Sequence, residues 1–210
     1  MADAASSLDD QVRKADPDRW LSSRFVGEPQ ARADLIALYA FEAELMSIPT
    51  RVTQPMLAEM RYAWWREQMD GVFAGTARKG HPVLEALTGL AARHDLDRAP
   101  FDALIEAHID RVHGEPHDLD AIYVGPMQTA VRMLAGPGQD EAVADAGRVR
   151  GLLQVGRTDE AAALRPVANR AMRTLPPAAF PAVAHAALTT GAPEPVKRLT
   201  LVWATLRGRI

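Results

Sequence analysis

Apolar residues along this chain recur three and four positions apart, and no stretch sustains the every-second-residue alternation of a strand. The fold class this predicts is all-α. Asp16-Pro17-Asp18 offers a helix start, with Asp as N-cap and Pro in the first turn, for a short helix to about Phe25. Gly27-Glu28-Pro29 breaks it and opens a longer helix, in which Leu35, Leu38, Tyr39, Phe41, Leu45, Met46 and Ile48 surround most of the circumference. Pro49 is expected to end that helix. Thr53-Gln54-Pro55 starts the next, running to Gly71 or Gly75 with Leu57, Met60, Trp64 and Val72 on one stripe. The same periodicity, punctuated by Pro and Gly, predicts helices at 81–93, 100–112, 118–134 (interrupted at Gly125-Pro126), 140–154, 159–174, 178–189 and 194–206. The result is a bundle of about eight or nine helices over residues 16–210, read as one domain behind a small, polar, flexible lead over 1–15.

Composition narrows the function classes. With 210 residues, 48% hydrophobic and 24% charged, the chain has room for a substantial core. A net charge of -3 and the lack of any Lys/Arg run give no electrostatic reason to expect nucleic acid. Zero cysteines remove disulfides and thiolate metal sites. The stretch Met1 to Trp20 has no apolar core segment and carries several acids, unlike a signal or transit peptide. No run approaches the roughly 18–20 apolar residues of a membrane span. A soluble or peripheral protein is expected.

Some residues invite chemistry. Arg61 lies one turn from Trp65, a spacing that lets a guanidinium stack on an indole. With Trp64 and Arg66 it suggests a cavity in which an arginine grips a diphosphate or an acidic lipid head group. The same residues also read as core tryptophans with snorkelling or salt-bridged arginines. His108, His113 and His117, near Asp110, Glu115 and Asp118, raise a metal reading, but Gly114 and Pro116 interrupt the only i, i+4 pair and point to a polar loop. His81 and His185 have no ligand-like neighbours and read as structural. Gly136-Pro137-Gly138 is a turn, and no P-loop, dinucleotide fingerprint or nucleophile elbow is present.

Leu38-Tyr39-Ala40-Phe41 and Ile48 resemble the helix that carries the first aspartate-rich motif of squalene and phytoene synthases, L-Y-A-F-x-R-x-x-D-D-I-x-D. Further segments are similar to a bacterial branch of that superfamily, a branch that includes the mitochondrial assembly factor for respiratory complex I. They are Asp16-Pro17-Asp18-Arg19-Trp20-Leu21 with Arg24-Phe25, the run Ile48 to Arg66, Gly80-His81-Pro82-Val83, Phe101 to Asp110, Leu175-Pro176 with Ala179-Phe180-Pro181, and Leu201 to Arg209. Together they span most of residues 16–155 plus the C-terminal part, and imply an isoprenoid synthase-like helical bundle, shortened between about Val155 and Arg165. Two departures matter. The three aspartate positions of the first motif fall on Met46, Ser47 and Thr50, and its arginine on Ala43. The second motif, G-x-A-x-Q-L-T-N-I-L-R-D, falls on Gly147 to Thr158, with Gly151, Gln154 and Thr158 at its Gln, Asn and Asp positions.

In such synthases, ionising an allylic diphosphate needs Mg²⁺ held on clustered carboxylates, and losing the ion removes the largest electrostatic contribution to the transition state. The resemblance with its departures therefore implies a pseudoenzyme: no catalytic or metal residue, no cofactor, and a scaffold resembling a complex I assembly factor or a lipid-binding protein. The expected ligand cavity comprises Tyr39, Glu42, Arg61, Trp64, Trp65 and Arg66. Expected partners are a protein or an isoprenoid/lipid ligand, with peripheral membrane association and no nucleic acid. The alternative is a farnesyl or geranylgeranyl diphosphate transferase whose Mg²⁺ has moved to other acids, from Glu42, Glu44, Glu141 and Asp145.

Overall fold

The computed structural model describes residues 2–210, with side chains from Leu8 onward; Met1 lies outside the described residues. Ten α-helices are present among them: α1 (Ala2–Ala15), α2 (Pro17–Ser23), α3 (Pro29–Arg51), α4 (Pro55–Phe73), α5 (Pro82–His94), α6 (Ala99–Val112), α7 (Gly125–Ala135), α8 (Asp140–Gln154), α9 (Thr158–Ala171) and α10 (Glu194–Arg207). A five-residue π-helix (Asp120–Val124) leads into α7, and three short 3₁₀ turns lie between α9 and α10. No strand occurs among the described residues, and no helix there is long and apolar enough to cross a membrane. The fold is the expected all-α, isoprenoid synthase-like bundle, with a few more helices than expected.

Local chemistry places most of the helix starts. The Asp16 carboxylate accepts the Arg19 amide at 3.0 Å with Pro17 at N1. Glu28 caps α3 in the same way, by accepting the Ala31 amide. Pro also sits in the first turn of α4, α5, α6, α7 and α10. Helix α3 is the central element: Asp34 through Glu42 are all buried, and α1, α2, α4, α5, α6 and α7 pack around it.

Four expectations need correction. The segment read as a flexible lead is α1, held against α3 by Leu8 and Val12, a buried i, i+4 pair. Helix α3 runs through Pro49 to Arg51. Pro49 has no N–H to donate to the Leu45 carbonyl, and the buried Tyr62 hydroxyl donates to that carbonyl instead, at 3.1 Å. The stripe expected on α4 holds at Val72, which is buried, and at Trp64, half-buried against the core. It does not hold at Leu57 and Met60, which are exposed with Met56; Ala58, Tyr62, Trp65 and Met69 face inward beside Val72. Finally, the segment 178–189 forms 3₁₀ turns at Pro177–Ala182 and Ala184–Ala187 in place of an α-helix. Pro181 cannot donate the i→i-4 bond that an α-helix would need there.

Candidate functional site

Helices α3, α6, α8 and the π-helix surround a cleft of about 460 Å³, closed on one side by the α1–α2 junction and the first turn of α10. From α3 come Tyr39, Glu42, Ala43, Met46 and Ser47; from α6, Leu104 and His108; from the π-helix, Ile122 and Tyr123; from α8, Arg150 and Gln154. Asp16, Asp18 and Arg19 contribute from the start of α2, and Lys197 from α10. The wall is mixed, with apolar residues interrupted by buried charges.

Those charges form two linked clusters. Arg19 pairs with Glu42 and, at 3.6 Å, with Asp16, and its guanidinium lies over the Tyr39 ring at 5.1 Å. Asp18 accepts from Arg150 at 3.1 Å and from Lys197 at 2.6 Å. Burial pushes the Glu42 carboxyl above its ordinary range, against the opposing pull of Arg19. Burial also raises the Tyr39 phenol, so it stays protonated. Glu42 Oε1 and the Tyr39 hydroxyl have no protein partner. Both atoms are closed off from solvent, in residues that line the cleft. His108 stacks on Tyr62 and is pushed down to about 4, first by burial and then by the Arg111 and His117 charges, so it is neutral near pH 7. His185, fully buried and with both ring nitrogens unpaired, is held well below its ordinary value by burial and then by Arg19 and Arg150.

Close packing shapes the wall opposite α3. A Cβ on Gly147 would come within 2.8 Å of the Val124 backbone, and one on Gly151 within 2.7 Å of the Tyr123 ring. Tyr123 from the π-helix thus fills the space that a side chain at Gly151 would occupy. The i→i-5 bond from the Gly125 amide to the Asp120 carbonyl, made just before Pro126, positions that ring.

Of the residues singled out for a ligand cavity, the structure brings only Tyr39 and Glu42 to the cleft. Trp65 is buried in an aromatic cluster with Phe41, Trp64 and His81, at ring separations of 5.3, 5.1 and 5.4 Å. Arg61 is exposed, and Arg66 pairs with Glu106 on the surface. The cation stacked on a cleft aromatic is Arg19, on Tyr39. Sequence reasoning missed Arg150 and Lys197. The signal for Arg150 was present: a charged residue between Val149 and the Gly151-Leu152 pair, on the apolar face of α8.

The donor set does not fit Mg²⁺. The Ser47 and Thr50 hydroxyls donate back to the Glu44 and Ser47 carbonyls of their own helix. Across the cleft, α8 presents Arg150 and Gln154. Glu42 is tied to Arg19, Glu44 to Gln11 and Arg51, and Asp145 to Arg148, while Glu141 is exposed. His113 faces Glu59 at 3.4 Å, away from His108. No group of three or more His, Asp or Glu able to hold a metal occurs among the described residues.

Compared with protein-family models, the chain matches squalene/phytoene synthase over residues 12–123. No curated protein matches it significantly, and neither does any solved structure. The match spans α2 to α6, which supply the α3 and α6 walls of the cleft. This chain belongs to the squalene/phytoene synthase family.

Proposed function

We propose that this protein is a non-catalytic member of its family that holds an isoprenoid or lipid-like amphiphile in the cleft between α3, α6 and α8. The observation that carries this reading is the cleft itself. It is large enough for an extended ligand, yet its floor is braced by Arg19–Glu42 and by Asp18 with Arg150 and Lys197, where metal-binding chemistry would need clustered carboxylates. Apolar contacts come from Leu104, Ile122 and Met46, and polar ones from Tyr39, Glu42 and the cations. The test is calorimetric titration with farnesyl diphosphate and with a lysophospholipid, each with Mg²⁺ and with EDTA. Binding of either that EDTA leaves unchanged, and that Ser47→Phe blocks by filling the cleft, is the expected result. Release of pyrophosphate and formation of a condensed product at an enzyme-like rate would instead establish the transferase alternative.

A protein-partner role of the complex I assembly type is the second reading. One observation favours it: Met56, Leu57 and Met60 stand exposed on α4, inside the segment Ile48 to Arg66 that carries the resemblance to that branch. With either reading we propose a cytoplasmic location, or a peripheral one at the inner membrane.

A further inference from the structure

Helix α10 has two apolar faces. One, with Leu201 and Ala204, is buried against the body of the protein. The other is open: Val196, Leu199, Val202, Trp203 and Leu206 are all exposed, Trp203 by 56% and Leu206 by 76%. At about 100° per residue, these five fall within an arc of about 120°, opposite the buried face. Arg198 and Arg207 flank the two edges of that arc, and the Arg207 guanidinium lies over the Trp203 ring at 4.7 Å. The surrounding charge is lopsided. Residues 194–210 carry four of the chain's 24 cations and one of its 27 acids, which leaves 20 cations against 26 acids elsewhere. That one acid, Glu194, pairs with Arg198 on the surface, a contact worth little in water.

We infer that the outer face of α10 docks on a membrane surface rich in anionic lipid, with Leu199, Val202, Trp203 and Leu206 entering the interface and Arg198, Arg207 and Arg209 meeting phosphate groups. An apolar arc edged by arginines, with an indole in its middle, is the pattern of a helix lying in the plane of a bilayer. Charge decides between occupants. A second copy packed face to face would set the same cationic edges against each other, whereas an anionic lipid surface neutralises them. From the buried side of its first turn α10 also sends Lys197 into the cleft, so the helix that docks forms part of the cleft wall. The inference rests on the peripheral-membrane part of the proposed function and is independent of what occupies the cleft.

The test is co-sedimentation of the full chain with vesicles of phosphatidylcholine alone, or mixed with phosphatidylglycerol, at low and raised salt. Binding is expected only to the mixed vesicles, with a blue shift of tryptophan emission that Trp203→Phe abolishes. Leu206→Glu, at an exposed site, should leave the melting temperature unchanged and weaken binding by about tenfold or more. Arg207→Glu should weaken it by about fivefold or more, and raised salt should weaken it too. Ser47→Phe should leave vesicle binding intact even where it abolishes ligand binding in the cleft, which separates the two readings. Three results overturn the inference: no binding to anionic vesicles, binding that Leu206→Glu leaves unchanged, or a lipid-free oligomer that Leu206→Glu dissociates.

Discussion

Gly151 and Tyr123 compete for one volume. The ring fills the space that a side chain at 151 would need. Gly151→Gln should therefore destabilise the fold by about 1–3 kcal/mol in urea unfolding, through overpacking. Adding Tyr123→Ala should recover part of the loss. His108 supplies a second residue-scale prediction. Its folded pKa of about 4 lies below its ordinary 6.5, so between these values the unfolded chain binds a proton that the folded one refuses. Stability is fully present above pH 6.5 and falls as pH drops toward 4, by about 3 kcal/mol from this residue. His108→Gln should flatten that part of the stability-against-pH curve, as read by urea unfolding at several pH values. The glycine is plain in the sequence, but the tyrosine that requires it is not, because the two lie on separate elements.

At the scale of elements, α3 continues through a proline because α4 supplies a hydroxyl in the right place. Tyr62→Phe removes the donor to the Leu45 carbonyl while keeping the ring and its stacking on His108. It should cost about 1–3 kcal/mol in thermal or urea unfolding, because a buried carbonyl is left unpaired. Sequence rules about proline are local and end a helix at 48; the rescue comes from another helix and cannot be read from either one alone. The same limit misplaced Leu57 and Met60 on α4. Met56, Leu57 and Met60 satisfy helical spacing as well as Ala58, Tyr62 and Trp65 do. Periodicity alone cannot say which of two apolar arcs meets the core. Helix α1 shows the converse, since Leu8 and Val12 are too few to mark a helix in a polar segment until α3 is there to cover them.

Across the whole molecule, Asp18 ties together three parts of the chain, its partners Arg150 and Lys197 lying 132 and 179 residues away. Asp18→Ala should destabilise the protein by about 3–5 kcal/mol in urea unfolding, because two cations with little solvent exposure lose their shared carboxylate. Replacing Lys197 with Met should cost less, since Arg150 still answers Asp18. The helical class, most helix boundaries and the family resemblance are written in the sequence. Capping, proline placement and residue identity are local quantities, written within a few positions of where they act. Tertiary structure alone decided that the cleft is open, that Arg19, Arg150 and Lys197 brace its floor, that the α4 tryptophans pack in the core beside it, and that α10 keeps a second apolar face outside. Each of these depends on which surfaces meet, and the energy of a buried charge or an apolar face is set by the partner that folding brings to it.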